Sequence, residues 1–368
     1  MQLRMQKTSL LDAIQRVVGV VDKKNTIPVL SNLLFQPVAS TNTVKLTATN
    51  LEIGVTALAS VIECDDADVT IPAQKLLEIV RELPDAIVTL TTDDKQWITL
   101  ECLKSKFRIA GLPETDFPNI MPLSGQAFTL PQATARNLFA HVAPFTSKDD
   151  SRYALTGVYL AASADGLRAV ATDGHRLACI TSPLPDGLEN AAPVILPAKA
   201  AQEVKKLCEK ENGDLLVTYG DTQMSFDTGA TTIITRLIDA QFPDYQTVIP
   251  KESTAIAVLN REMVVSALKR VALMCSQTYL VKCAFGANAL TLESMDPQVG
   301  NAVESFGIDY AAAPISIGFN ARYLLDVLGV TSGEHVQVAL TDAVAPALLT
   351  TDSPADDGFQ CVVMPMRI

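Results

Sequence analysis

The chain has 368 residues, 48% of them hydrophobic and 19% charged, with a formal net charge of −12. This composition fits a folded protein of two or three domains and excludes a disordered chain. The longest uncharged run, residues 117–135, holds three prolines and cannot form a continuous membrane helix, and the acidic balance excludes a uniformly basic nucleic-acid binder.

In chain order, Met1, Leu3 and Met5 alternate as in a half-buried strand. Thr8/Ser9 then offers an N-cap for a helix carrying Leu10, Ile14, Val17 and Val21, with Asp12 in a box-like position. Short strands follow to about residue 60. A second helix opens at Thr70-Ile71-Pro72 and is stopped by Pro84, and further strands lead to Asp116-Phe117-Pro118. The order then begins again. A strand ending at Leu130 is followed by Pro131 in a first helical position, with Leu138, Val142 and Phe145 as the apolar stripe. Strands cover residues 153–161 and 168–180, joined in the latter by an Asp173-Gly174 turn, a strong hairpin signal. Pro197 opens the next helix, and the segment closes on Phe242-Pro243-Asp244-Tyr245. A third round starts at Ala255, with Asn260 capping a helix and Asn320 preceding another, and ends in Val362-Val363-Met364-Pro365-Met366-Arg367-Ile368.

The landmarks keep their spacing. Thr49 precedes Thr172 by 123 residues, Asp173 precedes Asp296 by 123, and Phe117-Pro118 precedes Phe242-Pro243 by 125. Repeats of this length are whole domains rather than solenoid units. The reading is an α+β chain of three copies, 1–122, 126–252 and 253–368, each with two amphipathic helices on antiparallel sheets. The copies carry net charges of about −3, −4 and −5, so none is basic, yet lysines and arginines recur around the predicted helices.

The sequence lacks phosphate-loop, dinucleotide-binding, zinc-protease and nucleophile-elbow motifs. Seven cysteines form no C-x-x-C pair, and the N-terminus lacks the apolar segment of a signal peptide. This points to reduced thiols in the cytoplasm, with no membrane, metal or cofactor implied. Asp173-Gly174-His175-Arg176 is the one cluster that suggests acid–base work; its alternative is a polar hairpin turn.

R-Y-A-L-T-G-V-Y-L at 152–160, V-A-T-D-G-H-R-L-A at 170–178, F-P-D-Y-x-x-V-I-P at 242–250, I-G-F-N-A-R-Y-L-L-D-V-L at 317–328 and the terminal V-V-M-P-M-R-I resemble the bacterial DNA polymerase III beta subunit, the sliding clamp family. The resemblance runs along the whole chain. It implies tandem DNA-clamp domains and a head-to-tail homodimer, closing a six-domain ring around duplex DNA with no catalysis of its own. Partners implied are the DNA polymerase III catalytic subunit, the clamp loader, and other polymerases and repair proteins carrying a clamp-binding peptide of the Gln-x-x-Leu-Phe type. The implied peptide pocket comprises Leu155, Thr172, Gly174, His175, Arg176, Leu177, Pro243, Val248, Val344, Pro346, Val362, Val363, Met364, Pro365, Met366 and Arg367. Implied DNA-facing residues are Lys24, Lys75, Arg152, Tyr153 and Lys199, and implied dimer contacts are Phe107, Leu273 and Met274. The chain departs from the family at Gln74, Ala198 and Thr247, where relatives often carry arginine. Two alternatives stand beside this reading: a clamp paralogue with a resistance or repair role, and a hydrolase using Asp173 and His175.

Overall fold

The structure, a computed structural model, describes residues 1–22, 26–188, 191–209 and 212–368. The first repeat holds β1 (Gln2–Gln6), α1 (Lys7–Val17), β2 (Asn32–Val38), β3 (Thr43–Thr49), β4 (Ile53–Ser60), β5 (Glu63–Cys64), β6 (Val69–Pro72), α2 (Ala73–Glu82), β7 (Ile87–Thr92), β8 (Trp97–Cys102) and β9 (Ser105–Ala110). The second holds β10 (Gln126–Pro131), α3 (Gln132–Val142), β11 (Gly157–Ser163), β12 (Gly166–Thr172), β13 (Arg176–Ser182), β14 (Val194–Pro197), α4 (Ala198–Leu207), β15 (Asp214–Tyr219), β16 (Gln223–Asp227) and β17 (Thr231–Arg236). The third holds β18 (Ala255–Asn260), α5 (Arg261–Val271), β19 (Leu280–Gly286), β20 (Ala289–Asp296), β21 (Gly300–Gly307), β22 (Ile315–Asn320), α6 (Ala321–Val330), β23 (His335–Leu340), β24 (Ala347–Thr351) and β25 (Gln360–Val363).

The helices follow from 3.6-residue periodicity. α1 buries Leu10, Ala13, Ile14 and Val17, and α5 buries Val264, Ala267, Leu268 and Val271, both at i, i+3, i+4, i+7. Each large side chain so buried is worth about 1.5–3 kcal/mol. Asn260 caps α5 as expected, accepting from the Met263 N–H at 3.1 Å. The start of α1 differs from the sequence expectation. The helix begins at Lys7 with Gln6 at its N-cap, ahead of Ser9, because β1 pairs with β7 as far as Gln6 and the Lys7 N–H donates to Ala86 O at 3.0 Å. The sheet sets the point of entry. Pro131 likewise closes β10 rather than opening α3; β10 is an edge strand, where a missing N–H is tolerated.

The chain divides into two compact units, Met1–Arg136 with Lys199–Leu237, and Asn137–Ala198 with Ile238–Ile368. The second repeat is split between them. Each unit contains one eight-stranded antiparallel sheet, ordered β10-β15-β16-β17-β4-β3-β2-β6 in the first and β18-β23-β24-β25-β13-β12-β11-β14 in the second. These are the same topology twice, and in each the central contact joins different repeats: β17 to β4, and β25 to β13. The first unit also holds the sheet β5-β1-β7-β8-β9, and the second holds β21-β20-β19-β22.

A buried polar cluster ties the second and third repeats inside the second unit. His141 on α3 and Asp356, in the one-turn helix Pro354–Asp356, are each 4% exposed, with Nε2 and Oδ1 at 3.0 Å. The Asp356 carboxylate also accepts from the Ser332 N–H and hydroxyl at 2.8 Å and the Thr351 hydroxyl at 2.9 Å. Burial pushes its carboxyl up, but these bonds and that of His141 outweigh burial and hold it below its ordinary value. His141→Ala leaves a buried carboxylate without its partner and should cost about 3–5 kcal/mol in urea unfolding. The stabilisation from Asp356 should be complete above about pH 4, its unfolded value, and vanish as pH falls through the lower folded value.

Candidate functional site

The site in the second unit starts from the turn between β12 and β13. The Thr172 hydroxyl donates to Arg176 O at 2.7 Å and accepts from the Gly174 N–H at 3.1 Å. Asp173 Oδ1 accepts the N–H groups of His175 (2.9 Å) and Arg176 (3.1 Å). Gly174 has φ +85°, the left-handed conformation glycine adopts without strain. The turn chemistry therefore consumes Asp173. Its other oxygen takes Arg176 Nε at 3.1 Å, and its bond from His175 comes from the backbone, not the imidazole. This is the geometry of a turn, not of an acid–base pair.

Arg176 is 8% exposed and holds the hairpin in place. Its guanidinium reaches Asp326 on α6 and Pro144 O at 3.3 Å, and lies over the rings of Phe145 and Tyr323 at 4.9 and 4.7 Å. The His175 ring stacks near Tyr323, with centroids 6.1 Å apart.

Strand register supplies the floor. Thr172 is opposite Leu177, Leu177 opposite Val362, and Val362 opposite Leu348, so the four form a row across one sheet face. Val170, Leu177, Cys179, Tyr245 and Val362 pack as one buried cluster, with Val248, Phe242 and Tyr159 against it. The segment after Phe242 is thus the wall, and Phe242 stacks on Tyr159 at 4.8 Å. Burial pushes the Cys179 thiol up to about 11, so it lines the floor as an apolar group. The tail closes the far side: the Met364 N–H donates to His175 O at 2.9 Å, and that of Met366 to Gly318 O at 2.7 Å.

Among the pocket residues named from sequence, Thr172, Gly174, His175, Arg176, Leu177, Val248, Val362 and Met364 come together here. Pro243 is exposed beside Phe242, Pro365 and Met366 are half-buried in the tail, and Arg367 is exposed. Leu155 is half-buried at the end of the turn Asp150–Leu155. Val344, 79% exposed, and Pro346 lie between β23 and β24. Val363 is fully buried and, one residue from Val362, faces the opposite side of the sheet. Tyr245, Tyr159, Cys179, Leu348, Tyr323 and Asp326 were not singled out from sequence; the F-P-D-Y motif was the only signal for any of them.

The DNA-facing candidates are also placed. Lys75 is exposed on α2 with Glu78 at 2.6 Å, and its bond and charge hold the Glu78 carboxyl below its ordinary value. Lys199 Nζ lies 2.6 Å from Asp22 Oδ1 and 3.2 Å from Val20 O. Arg152 donates to Asp173 O at 2.8 Å, so it braces the hairpin turn, and the neighbouring Tyr153 is 56% exposed. Lys24 lies outside the described residues. Phe107 is on the edge strand β9, and Leu273, 81% exposed, and Met274 follow α5.

Three family models match the chain consecutively: the DNA polymerase III beta subunit N-terminal domain over residues 1–121, its central domain over 129–244 and its C-terminal domain over 246–367. The chain belongs to the DNA polymerase III beta subunit family, the sliding clamps. It is 34% identical to the beta sliding clamp of Pseudomonas putida over 372 residues and 30% identical to that of Escherichia coli K12 over 371, each match covering 100% of both chains. It superposes with a TM-score of 0.94 and 33% identity on a sliding clamp from Bartonella birtlesii bound to griselimycin, and of 0.91 with 31% identity on the beta subunit from Pseudomonas aeruginosa, again with 100% coverage of both chains. Clamp family membership gives the Asp-Gly-His-Arg hairpin a setting without catalysis.

Because β25 ends at Val363, paired to both neighbours, a tail deletion that spares the sheet begins at Met364. Removing residues 364–368 should abolish binding of a Gln-x-x-Leu-Phe-type peptide in fluorescence anisotropy while the thermal melt stays cooperative. Undiminished binding would refute the tail's part in the site.

Proposed function

We propose that this sliding clamp works as a non-catalytic homodimeric ring. Three domains per protomer, 1–122, 126–252 and 253–368, encircle duplex DNA. The ring tethers the DNA polymerase III catalytic subunit, and the cleft of the second unit receives peptides from that subunit, the clamp loader and other polymerase and repair partners.

The observation that carries the ring is a pair of open sheet edges. Inside the chain, the last strand of one repeat's half-sheet pairs antiparallel with a hairpin strand of the repeat before it, as β17 with β4 and β25 with β13. By position in the repeat, β9 corresponds to β17 and β25, and β21 to β4 and β13. Both β9 and β21 are sheet edges among the described residues. Unpaired edges invite another strand, and joining β9 to β21 of a second copy repeats the internal join. The edges are complementary. β9 presents Lys106, Phe107 and Arg108; β21 presents Val303, 60% exposed, and Glu304, with Leu273 nearby. Such a contact is heterologous, and two of them close a ring of two chains.

A ring held by topology needs only weak contacts with DNA. Phosphate contacts carry no sequence information, and Lys75 and Lys199 with their carboxylate partners give a mild attraction that permits sliding.

Leu273→Ala with Met274→Ala should weaken the dimer. Burial of each side chain is worth about 1.5–3 kcal/mol, so dissociation should rise at least roughly a hundredfold, read by sedimentation at low concentration. An unchanged mass would count against this interface, and electron microscopy of the unaltered protein should show closed particles with a central hole.

A further inference from the structure

The first unit contains a second copy of the cleft's framework. The turn between β3 and β4 repeats the hydrogen bonds of the Asp-Gly-His-Arg turn one for one. The Thr49 hydroxyl donates to Ile53 O at 2.9 Å and accepts from the Leu51 N–H at 3.0 Å. Asn50 Oδ1 accepts from Glu52 N–H at 3.1 Å and Ile53 N–H at 2.8 Å. Leu51 has φ +77°, where Gly174 has +85°. The Arg236 N–H donates to Glu52 O at 2.9 Å, just as Met364 N–H does to His175 O at 2.9 Å. Register completes the match: Thr49–Gly54–Ile234–Ser225 forms the row corresponding to Thr172–Leu177–Val362–Leu348. The wall matches too, since Phe117 packs against Leu34 where Phe242 packs against Tyr159.

The floor differs at one decisive place. Gly54 stands where the second unit has Leu177, and the space above it is taken by Ile120, whose Cδ1 is 2.6 Å from where a Gly54 Cβ would be. Ile120 comes from the segment that corresponds to the wall of the cleft, three residues after Phe117 as Tyr245 is after Phe242. An aliphatic side chain therefore lies on the bare backbone of the row, as an anchoring peptide side chain would.

We propose that Ile120 is a built-in occupant that closes this second cleft, so that each chain presents one docking site for apolar peptide segments instead of two. The proposal rests on the reading that the second unit's cleft binds peptides. Removing the Ile120 side chain leaves an apolar hollow flanked by Leu51, Met121 and Ile234, of which Leu51 and Met121 are 49% and 72% exposed. That hollow then accepts the leucine or phenylalanine of a peptide by the same apolar burial.

The test is calorimetric titration of the full chain with a synthetic Gln-x-x-Leu-Phe peptide. The unaltered chain should bind one peptide. Ile120→Ala should bind a second, more weakly, and that second site should survive deletion of residues 364–368. Ile120→Leu, which keeps the occupant, should restore the single site. Two equivalents bound by the unaltered chain would overturn the proposal, as would a folded Ile120→Ala chain with one site. In the unaltered chain the Ile120 methyl resonance should stay fixed while the Val362 methyls shift, and a saturable Ile120 shift would also refute closure, even where Ile120→Ala proves unstable. Failure of the unaltered chain to bind any peptide would instead remove the reading on which the proposal rests.

Discussion

The constraint on which the structure depends is the need to pair sheet edges across repeat boundaries. A half-sheet of four strands ends in a row of unpaired N–H and C=O groups, and such rows demand partners. The chain meets the demand twice internally, through β17–β4 and β25–β13, and each join fuses two half-sheets into an eight-stranded sheet. The unit of folding is therefore not the repeat. It is the pair of half-sheets on either side of a repeat boundary, which is why the compact units divide the second repeat between them. The cleft is a by-product of the same join. Only because β25 pairs with β13 do Val362 and Leu177 share a face, and only then does the residue after the strand reach His175 O.

Electrostatics works on top of this frame at a smaller scale. With a net charge of −12, the chain repels a polyanion at long range. Its exposed helix lysines are mostly offset nearby, Lys75 by Glu78, Lys205 by Glu209 and Lys206 by Glu203. Exposed pairs of this kind contribute about 0–1 kcal/mol each to stability, so their value lies elsewhere. They lower the local positive field and leave contacts that can be exchanged as the ring moves.

What was legible in the sequence was what local pattern encodes. Helix faces followed from apolar spacing, as in α1 and α5, and the Thr-Asp-Gly turn from its φ > 0 glycine. The threefold plan emerged from constant intervals between Phe-Pro pairs. The start of α1 was misread because Lys7 N–H is claimed by Ala86 O, a long-range bond that outranks a local capping signal. The exchange of half-sheets between repeats was invisible for the same reason: strands 180 residues apart pair by register, and register has no local signature. The pocket positions were inferred by resemblance, and the aromatic support behind them was missed. Tyr323 and Asp326 sit on a helix whose periodicity marks only its buried face, and nothing in that pattern points to Arg176 on another repeat.

The two copies of the hairpin framework diverge for a reason set by chain connectivity. After β17 the chain must continue, through Leu237 and Ile238, whose N–H groups are bound to Thr222 O and Ile195 O at 2.8 and 2.9 Å. After β25 only five residues remain. Those residues have no next element to reach, so Met364, Pro365 and Met366 can lie half-exposed along a groove and adapt to what enters it. At the equivalent place the first unit carries Arg236, and its floor carries Gly54 and Ser225 for Leu177 and Leu348. A bare glycine beneath an open groove would leave an apolar hollow, and close packing is favoured over such a void. Ile120, already delivered there by the linker, fills it. The end of the chain thus decides which of two similar frameworks stays open.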